Sequence, residues 1–322
     1  MKLASVAVTD RVASRVELSI IIVNYNGERF VGRCLDQLLG TASAAVEIIV
    51  TDNCSSDQSL EVLRAFGDRI KLVISTVNRG FAGGVNLAVA EARGRWLMLL
   101  NPDTSMAFDP AELLARALSH PHIGVLGPRI RYPDGRQQFS FGFEHTVPRI
   151  VLAWLGGDRI ALLTSCFSLQ ERRLSHYECI RDVAWVSGCC LLTPRALWHA
   201  IGGLDEQFFM YVEDVDYCRR VREEGYRVVY DPTLELAHEE GGSVSGFNRA
   251  AIVRSCSSYL RYTRKWSGPV ATVALRGMLG MAMLLRGFGA LLLEQVHGKA
   301  WLSERRRAYL QIGADLLAGR IH

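Results

Sequence analysis

The chain has 322 residues, of which 49% are hydrophobic, 22% charged and 9% aromatic. This composition is that of an ordinary globular protein, and it excludes a disordered, collagen-like or disulfide-dense chain. The net charge of +4 is unevenly placed, because residues 247–322 hold twelve Lys or Arg against three Asp or Glu, a net +9 that leaves −5 for the rest. An acidic body with a basic tail indicates two tasks, and it predicts that the tail meets an anionic surface.

The eight cysteines and the N-terminal residues indicate the compartment. No two cysteines have C-x-x-C spacing, and Cys189 and Cys190 are adjacent, so the pattern supports neither a zinc ribbon nor a thioredoxin-like motif. The first fifteen residues lack the apolar core of a signal peptide. We therefore expect buried free thiols in a reducing cytoplasm.

The first 134 residues alternate between predicted strands and predicted helices. Apolar, β-branched runs at 17–26, 46–53, 70–76 and 95–103 are typical of strands covered on both faces of a parallel sheet. Amphipathic segments of helical length separate them at 29–39, 56–66 and 83–93. Ser55 and Gln58 have the spacing of a capping box for the second of these helices. The alternation predicts a doubly wound α/β domain.

The second half of the chain is less regular. Residues 135–181 are rich in aromatic residues and Arg. Strand-like and helix-like segments follow up to residue 246, which we take as the end of the α/β domain. Residues 247–322 are predicted to be a helical extension, basic and amphipathic. Its apolar part, 270–293, is interrupted by Arg276 and Arg286, and its longest uncharged run has nine residues, short of the ~20 that a membrane span needs. An interfacial helix or an oligomer interface fits this pattern better.

Polar side chains follow each of the four predicted parallel strands. Ligands of open α/β sheets bind beyond the carboxyl ends of the strands, so these side chains are expected to converge on one crevice. They are Asn24, Asn26, Asp52, Asn53, Asn78, Asn101 and Asp103. Asn101 and Asp103 offer the oxygen ligands that a hard divalent cation beside a diphosphate prefers, although a Pro-Asp turn closing a strand has the same sequence. Asp52 is placed to accept hydrogen bonds from a base or a sugar, or to form an Asx-turn.

Three further motifs suggest chemistry. The segment NRGFAGGVN at 78–86 is a glycine-rich turn before a helix, but it is neither G-x-G-x-x-G nor a P-loop. Glu213, Asp214 and Asp216 crowd the first turn of a predicted helix, where carboxylates are favourable in any case. A carboxylate kept ionised there can act as a general base. His238, followed by two glutamates, is either a satisfied histidine or a ligand of metal or diphosphate.

Taken in order, these segments resemble the family 2 glycosyltransferases, and most closely their bacterial rhamnosyltransferase-like branch. The matching text is SIIIVNYN, VTDNCSSDQS, NRGFAGGVN, LLNPDT, WVSGCCLLTPR, GGLDEQFFMYVEDVDYCRR and AHEEGGS, between about residues 19 and 243. The resemblance implies a GT-A fold, a mostly parallel α/β sheet with a nucleotide-binding half and an acceptor-binding half. It also implies inverting transfer of a sugar from a nucleotide-diphosphate donor, helped by Mg²⁺ or Mn²⁺.

The resemblance also implies roles for individual residues. Asp214 matches the catalytic base, Asp103 the metal ligand of the family's D-x-D motif, and His238 a position that contacts metal or diphosphate. Asn101 replaces the first carboxylate of that motif, which lowers the charge of the site. Trp185 and Glu213 are assigned to the acceptor. The donor-binding residues are expected to be Val23, Tyr25, Asp52, Asn78, Gly83 and Asn86, together with Asn101 and Asp103.

The first hypothesis is therefore a glycosyltransferase that uses dTDP-L-rhamnose and acts on a lipid-linked or growing cell-envelope glycan. The acceptor would be a glycan or a polyprenyl-diphosphate-linked glycan, and the enzyme would lie peripherally on the anionic inner face of the cell membrane. The alternatives are the same chemistry with a UDP-hexose, UDP-galactofuranose or UDP-N-acetylhexosamine donor, or a non-catalytic sugar-nucleotide-binding subunit. A homodimer is possible. Nucleic acid is not expected, because the body is acidic and carries no nucleic-acid motif.

Overall fold

The fold is built on one mixed β-sheet. The structure is a computed structural model that describes residues 16–43, 45–156, 168–239, 247–297 and 300–322. The strands are β1 Leu18–Asn24, β2 Val46–Asp52, β3 Lys71–Ile74, β4 Trp96–Leu100, β5 Thr104–Met106, β6 Ile123–Arg131, β7 Phe141–Gly142, β8 Arg181–Asp182, β9 Trp185–Val186, β10 Cys190–Pro194 and β11 Arg227–His238. The helices are α1 Val31–Thr41, α2 Ser59–Arg64, α3 Gly80–Val89, α4 Pro110–Leu118, α5 Val147–Leu155, α6 Arg195–Ala200, α7 Glu213–Glu223, α8 Arg249–His297 and α9 Ala300–Leu317.

The main sheet has the strand order β3-β2-β1-β4-β10-β6-β11-β5, with β8 paired to β11. β3, β2, β1 and β4 are parallel, as are β6 and β11. β10 runs antiparallel between β4 and β6, and it joins the two parallel groups into one sheet. All seven residues of β1 are buried, because helices cover both faces of the sheet. The predicted α/β class and mostly parallel sheet are confirmed.

Two local predictions about helix starts are wrong. The capping box of Ser55 and Gln58 does not form, since α2 begins at Ser59. The Ser55 hydroxyl instead contacts the end of β1, accepting a hydrogen bond from the backbone N–H of Asn26 at 3.0 Å. α3 begins at Gly80, three residues before the predicted start. Gly80 has a positive φ of 72°, and a Cβ there would overlap the carbonyl of Phe209, so only glycine fits this close approach.

The C-terminal helix α8 has two halves with different surroundings. It breaks at Gly268, whose φ of 84° and ψ of −179° are not helical, and Pro269 follows. The proximal half, residues 249–267, packs on the α/β body through Tyr262 and Trp266, and its Cys256 and Leu260 contribute to the core beneath the distal half. The distal half, residues 269–297, packs on α9 and α5 through a separate apolar core that includes Leu275, Leu279, Met283, Ile312 and Leu316.

One helix of the described chain is long and apolar enough to cross a membrane, judged by length and composition alone. It spans Arg249–Gln295, and its most apolar 18-residue window has a mean hydropathy of 1.5, with 33% of that window buried inside the protein.

The cysteines of the described residues are all free, as predicted. Five of them are buried, but Cys54 and Cys179 are exposed, so the expectation of burial is wrong for these two, and Cys166 lies outside the described residues.

Candidate active site

A cavity of about 500 Å³ lies where the sheet, α7 and the proximal half of α8 meet. Its walls bring together five residues that the sequence singled out, from four separate segments: Asn101, Trp185, Glu213, Asp214 and His238. Nine lining residues come from the segment 135–181: Gln138, Phe139, Ser140, His145, Ala153, Ser168, Leu169, Gln170 and Arg172. This segment therefore forms a wall of the cavity.

Asn101 and His238 line one part of the cavity, and Asp103 lies directly behind them in contact with His238; we call these three residues the strand corner. Asn101 and Asp103 follow β4, and His238 ends β11. The Nε2 atom of His238 lies 3.1 Å from Oδ1 of Asp103 and 3.3 Å from Nδ2 of Asn101. The Nδ1 atom of the same ring lies 2.8 Å from Oε1 of Gln138. A ring nitrogen facing an amide oxygen carries a proton, so Gln138 fixes the ring with its Nε2 atom toward Asp103.

The donor set of the strand corner fits a divalent cation. A carboxylate oxygen and an imidazole nitrogen 3.1 Å apart match two adjacent ligands of one octahedral cation, which lie roughly 3 Å from each other. Within the described ranges, no group of three or more His, Cys, Asp or Glu residues could hold a metal ion. A cation bound here would have few protein ligands and would complete its coordination with substrate phosphates and water.

The start of α7 forms the opposite side of the cavity, which we call the helix corner. Tyr211 and Val212 both have a φ of 72°, and a β-branched residue is strained in this left-handed region. The turn places Glu213 and Asp214 in the cavity wall. Asp214 accepts two backbone hydrogen bonds of 2.8 Å, at Oδ2 from the N–H of Gly188 and at Oδ1 from that of Val215.

Glu213 and Asp214 differ in how well their charge is compensated. Glu213 is 6% exposed, and its Oε2 has no hydrogen-bond partner in the described part of the chain. Burial raises the pKa of Glu213 well above 4.5, and the charge of Asp214 raises it further. Burial also raises the pKa of Asp214 above 3.8, but the N–H groups of Gly188 and Val215 oppose that shift. The two backbone hydrogen bonds therefore favour the ionised form of Asp214, whereas burial without such partners favours the neutral form of Glu213.

Asp216, the third acid of this turn, points away from the cavity. It is fully buried and accepts hydrogen bonds from Nε of Arg220 at 2.9 Å, Nζ of Lys265 at 3.0 Å and Nε1 of Trp266 at 2.9 Å. Lys265 and Trp266 belong to the proximal half of α8. Asp216 therefore fastens α7 to the C-terminal extension.

The proximal half of α8 also reaches the cavity. Ser255 and Tyr259 line it, and the hydroxyl of Ser258 donates a hydrogen bond of 2.9 Å to the carbonyl of Met210, just before the strained turn. Tyr262 donates a hydrogen bond of 2.7 Å to Glu144. Although we drew a domain boundary at residue 246, residues beyond it complete the wall of the cavity.

Val23, Tyr25 and Asp52 lie outside this cavity, at the carboxyl ends of β1 and β2. Asp52 is 2% exposed and accepts hydrogen bonds from the backbone N–H of Ser55 at 3.2 Å and from Nδ2 of Asn24 at 3.4 Å. Tyr25 is 46% exposed. Val23 packs so closely against α3 that a Cβ at Gly84 would lie 2.7 Å from its side chain. Contact of these three residues with a nucleobase stays a prediction.

Asn78 lies before α3, Gly83 and Asn86 lie within it, and the two asparagine side chains make local hydrogen bonds. Oδ1 of Asn78 accepts the N–H of Gly80 at 2.9 Å, which shapes the start of α3. The side-chain amide of Asn86 bonds both the carbonyl and the N–H of Leu204, at 2.8 and 3.1 Å. A Cβ at Gly83 would lie 2.7 Å from the side chain of Arg79, so this position requires glycine for packing alone. Their contact with a nucleoside likewise stays a prediction.

Comparison with known proteins identifies the family. The sequence profile of Glycosyl transferase family 2 matches residues 19–176, just under half of the chain. The chain belongs to glycosyltransferase family 2.

Relatives of this glycosyltransferase match it over longer stretches. The N-acetylglucosaminyl-diphospho-decaprenol L-rhamnosyltransferase of Mycobacterium tuberculosis is 28% identical over 312 residues, covering 88% of this chain and 98% of the relative. The low-salt glycan biosynthesis hexosyltransferase Agl10 of Haloferax volcanii is 26% identical over 230 residues, covering 70% of this chain and 67% of the relative.

Solved structures share the GT-A fold. The mannosyltransferase PcManGT from Pyrobaculum calidifontis, in complex with GDP-Man and Mn²⁺, has a TM-score of 0.55 at 18% identity and covers 95% of this chain and 88% of its own. GalNAc-T7 with UDP, GalNAc and Mn²⁺ has a TM-score of 0.57 at 15% identity, covering 78% of this chain and 48% of its own. The predicted GT-A fold, including the C-terminal helical region, is confirmed.

Sequence reasoning missed several residues of this glycosyltransferase that contact the site. Gln138 orients His238 across 100 positions of sequence, and no spacing rule connects the two. Gly188 was visible within WVSGCC, but only the fold shows that its N–H binds Asp214. Ser255 and Tyr259 were assigned to the extension by their position after the last matching motif. Their helical setting gave no signal that they face the cavity.

Proposed function

We propose that this glycosyltransferase transfers a sugar, with inversion, from a nucleotide-diphosphate donor to a cell-envelope glycan. The observation that carries the proposal is that Asn101, His238 and Asp214 line one cavity of about 500 Å³, and that Asp103 lies 3.1 Å from the ring of His238. A cation-binding corner and an ionised carboxylate on one cavity suit a single in-line displacement, in which one base and one cation suffice. Double displacement would require a nucleophilic carboxylate as well, and the burial of Glu213, the remaining one at the helix corner, disfavours its ionised form.

In the proposed reaction Asp214 accepts the proton of the acceptor hydroxyl as this oxygen attacks the anomeric carbon from the side opposite the diphosphate. Gly188 and Val215 fix both carboxylate oxygens, so the base is held in one orientation before the acceptor arrives. Asp103 and His238 would hold Mg²⁺ or Mn²⁺, whose charge stabilises the departing diphosphate. Asn101 lies beside them and contributes an amide rather than a second carboxylate. Glu213 and Trp185 are proposed to contact the acceptor from the cavity wall.

The best candidate for the donor is dTDP-L-rhamnose. The support is the relative from Mycobacterium tuberculosis, a rhamnosyltransferase by name, which aligns over 98% of its own length. Solved proteins of the same fold hold UDP or GDP-mannose, so a UDP-sugar is the alternative donor. Val23, Tyr25, Asp52, Asn78, Gly83 and Asn86 would contact the nucleoside, at the edge of the sheet next to the strand corner.

The best candidate for the acceptor is a glycan linked to a polyprenyl diphosphate. The same relative is named for an N-acetylglucosaminyl-diphospho-decaprenol acceptor. Such an acceptor is anchored in a bilayer, and the basic, apolar residues 247–322 would hold the enzyme peripherally at the cytoplasmic face of the cell membrane.

A non-catalytic sugar-nucleotide-binding subunit is the alternative from another class, and one variant separates the two. Asp214→Asn keeps the size of the side chain but removes the base, so turnover should fall by about 10²- to 10⁴-fold. Asp68→Asn changes an exposed carboxylate that does not line the cavity, so it should leave turnover unchanged. Turnover would be measured with dTDP-rhamnose and with UDP-sugars, each with Mn²⁺. Undiminished turnover in Asp214→Asn contradicts the assignment of the base.

Donor binding is tested separately by thermal shift. A nucleotide that binds the folded protein alone raises its melting temperature, so dTDP, UDP and GDP can be ranked with Mn²⁺ present. Asp214→Asn should show the same ranking and nearly the same shifts as the unchanged protein. No shift with any of the three nucleotides would contradict both the enzyme and the binding-subunit hypotheses.

A further inference from the structure

The distal half of α8 has one face that no other described part of the protein covers. Every side chain that is exposed between residues 270 and 293 is apolar, up to 82% exposure at Val270. The large ones, which we call the distal face, are Val270, Val273, Met278, Met281, Leu285, Phe288, Leu292 and Leu293. From Val270 to Leu292 their spacing of three to five residues keeps them on one side of the helix, and with the adjacent Leu293 the face is about 35 Å long. A contiguous apolar surface of this size marks a contact with a membrane or a protein.

The two arginines that interrupt this apolar segment do not interrupt its exposed face. Arg286 is partly buried and lies over the ring of Trp154, 5.4 Å from its centroid, and near that of Tyr309 at 5.8 Å. Arg276 is also partly buried and lines a cavity at the N-terminal end of the face. Sequence alone shows two charges within an apolar stretch, whereas the fold turns Arg286 onto aromatic rings and leaves Arg276 at one end of the distal face.

The packing of α9 excludes a membrane-spanning arrangement of the distal half. A Cβ at Gly313 would lie 2.9 Å from the carbonyl oxygen of Gly280, so the two helices are in close contact. α9 carries Glu304, Arg305, Arg306, Arg307 and Asp315, which would enter the hydrocarbon if its partner spanned the bilayer. An orientation in the plane of the interface immerses the distal face and leaves α9 on the aqueous side.

Cationic side chains lie at the N-terminal end of the distal face. A cavity of about 620 Å³ at the break in α8 is lined by Arg261, Arg264, Lys265 and Arg276, together with apolar residues that include Val273 of the distal face. Asp205 also lines it, and its carboxylate is held by Lys265 at 2.7 Å. Arg261 and Arg264 are exposed, and their planar guanidinium groups suit the oxygens of a phosphate.

We propose that the distal face and this cavity form one docking surface for an anionic phospholipid bilayer, with the helix lying in the plane of the membrane and a lipid phosphate between Arg261, Arg264 and Arg276. This inference deepens the proposed function and rests on it, because a lipid-linked acceptor places the reaction at a bilayer. The match between an apolar face and a cationic end favours a bilayer over a second copy of the chain, whose own end would be equally cationic.

The test uses flotation of the full chain with phosphatidylcholine vesicles, with and without phosphatidylglycerol. Leu285→Ser/Phe288→Ser removes apolar area from the centre of the face and should weaken binding to both vesicles about tenfold or more. Its matched control is Leu118→Ser/Leu174→Ser, which alters two leucines that are 65% and 61% exposed elsewhere. Arg261→Gln/Arg264→Gln should weaken binding only to phosphatidylglycerol vesicles, by roughly fivefold per arginine, and most at low salt. Arg64→Gln/Arg69→Gln is its control.

Several results would overturn the inference. Flotation of Leu285→Ser/Phe288→Ser at the level of the unchanged protein would exclude the distal face from the bilayer. If this variant instead lost a dimer in size-exclusion chromatography and kept its flotation, the face would be a subunit interface. Retention in the membrane fraction after alkaline carbonate extraction would indicate a span. Nucleotide thermal shifts measured without lipid report on the proposed function alone, so the failure of either idea can be recognised.

Discussion

The strand corner and the helix corner face the same cavity, but their acidic side chains have different surroundings. In the strand corner, Asp103 and His238 lie 3.1 Å apart, and Gln138 holds the far side of the ring. In the helix corner, burial raises the pKa of both Glu213 and Asp214, and one oxygen of Glu213 has no partner within the described residues. The first corner is arranged to receive positive charge and the second to receive a proton. The surroundings of an acidic side chain, more than its residue type, therefore decide which task it performs.

The largest effect should come from removing the carboxylate of the strand corner. The two proposed ligands of the cation are the carboxylate of Asp103 and the imidazole of His238, and Asp103→Ala deletes the first. We therefore expect kcat to fall on the order of 10³-fold. Added Mn²⁺ should restore little of it. Asp134→Ala, which removes an exposed carboxylate paired with Arg136, serves as the control. Activity in Asp103→Ala that is both high and insensitive to chelators would contradict the proposed role of this corner.

The next effect should concern stability, and it separates Asp216 from its neighbours in the helix corner. Asp216→Asn leaves Arg220 and Lys265 without their buried counter-charge, which should lower the free energy of unfolding by about 3 kcal/mol or more. Asp205→Asn removes the other, less buried partner of Lys265 and should cost about 1 kcal/mol or less. Urea denaturation measures both values. Equal losses would show that the attachment of α8 to α7 does not depend on Asp216.

A smaller effect should follow from loosening the ring of His238. Gln138→Leu removes the acceptor for Nδ1, so the ring loses its fixed orientation, and the Mn²⁺ concentration for half-maximal activity should rise about 10- to 100-fold. kcat at saturating Mn²⁺ should change less, because the ligands remain. Gln170→Leu, a second glutamine on the cavity wall, is the matched control. A loss in kcat with unchanged Mn²⁺ dependence would indicate a role for Gln138 other than positioning.

The smallest effect should be a pH-dependent gain in stability. Since folding raises the pKa of Glu213 above 4.5, the folded state binds more protons than the unfolded state above that pH, and the unchanged protein loses stability as pH rises through this window. Glu213→Gln removes this dependence. The melting temperature of this variant should equal that of the unchanged protein at about pH 4 and exceed it at about pH 8. A variant that is less stable at the higher pH would contradict the protonated state assigned to Glu213.

Sequence predicted the parts of the molecule whose pattern is local. The apolar runs of β1, β2 and β4 were correct because strands buried on both faces leave a continuous signal. The run at β3 also marked a strand, but β3 is an edge strand without a buried residue, so the expected cover on both faces is wrong there. The sequence gives no signal that β10 lies antiparallel between β4 and β6, because its mostly apolar residues would also suit a parallel strand.

The candidate site divides in the same way. Asn101, Trp185, Glu213, Asp214 and His238 were named from motifs, and the fold brings them to one cavity. The partner of each side chain was not predictable, because it comes from a distant segment. Asp216 resembles Asp214 in sequence, and only the approach of Lys265 and Trp266 reveals its structural task. The same holds for Arg276 and Arg286, whose direction depends on the helix that packs beside them.

The break at Gly268 has a consequence for the length of the acceptor. Tyr259 on the cavity wall and Val270 on the distal face belong to one chain segment of eleven residue steps, on the order of 16 Å along a helix axis. With the distal face on the bilayer, this segment sets the height of the reaction above the lipid phosphates. A receiving hydroxyl attached one sugar from the diphosphate and one attached many sugars away would not reach Asp214 equally well. The enzyme would thus select acceptors whose receiving hydroxyl lies at one distance from the membrane, and the geometry of the chain at Gly268 would determine that distance.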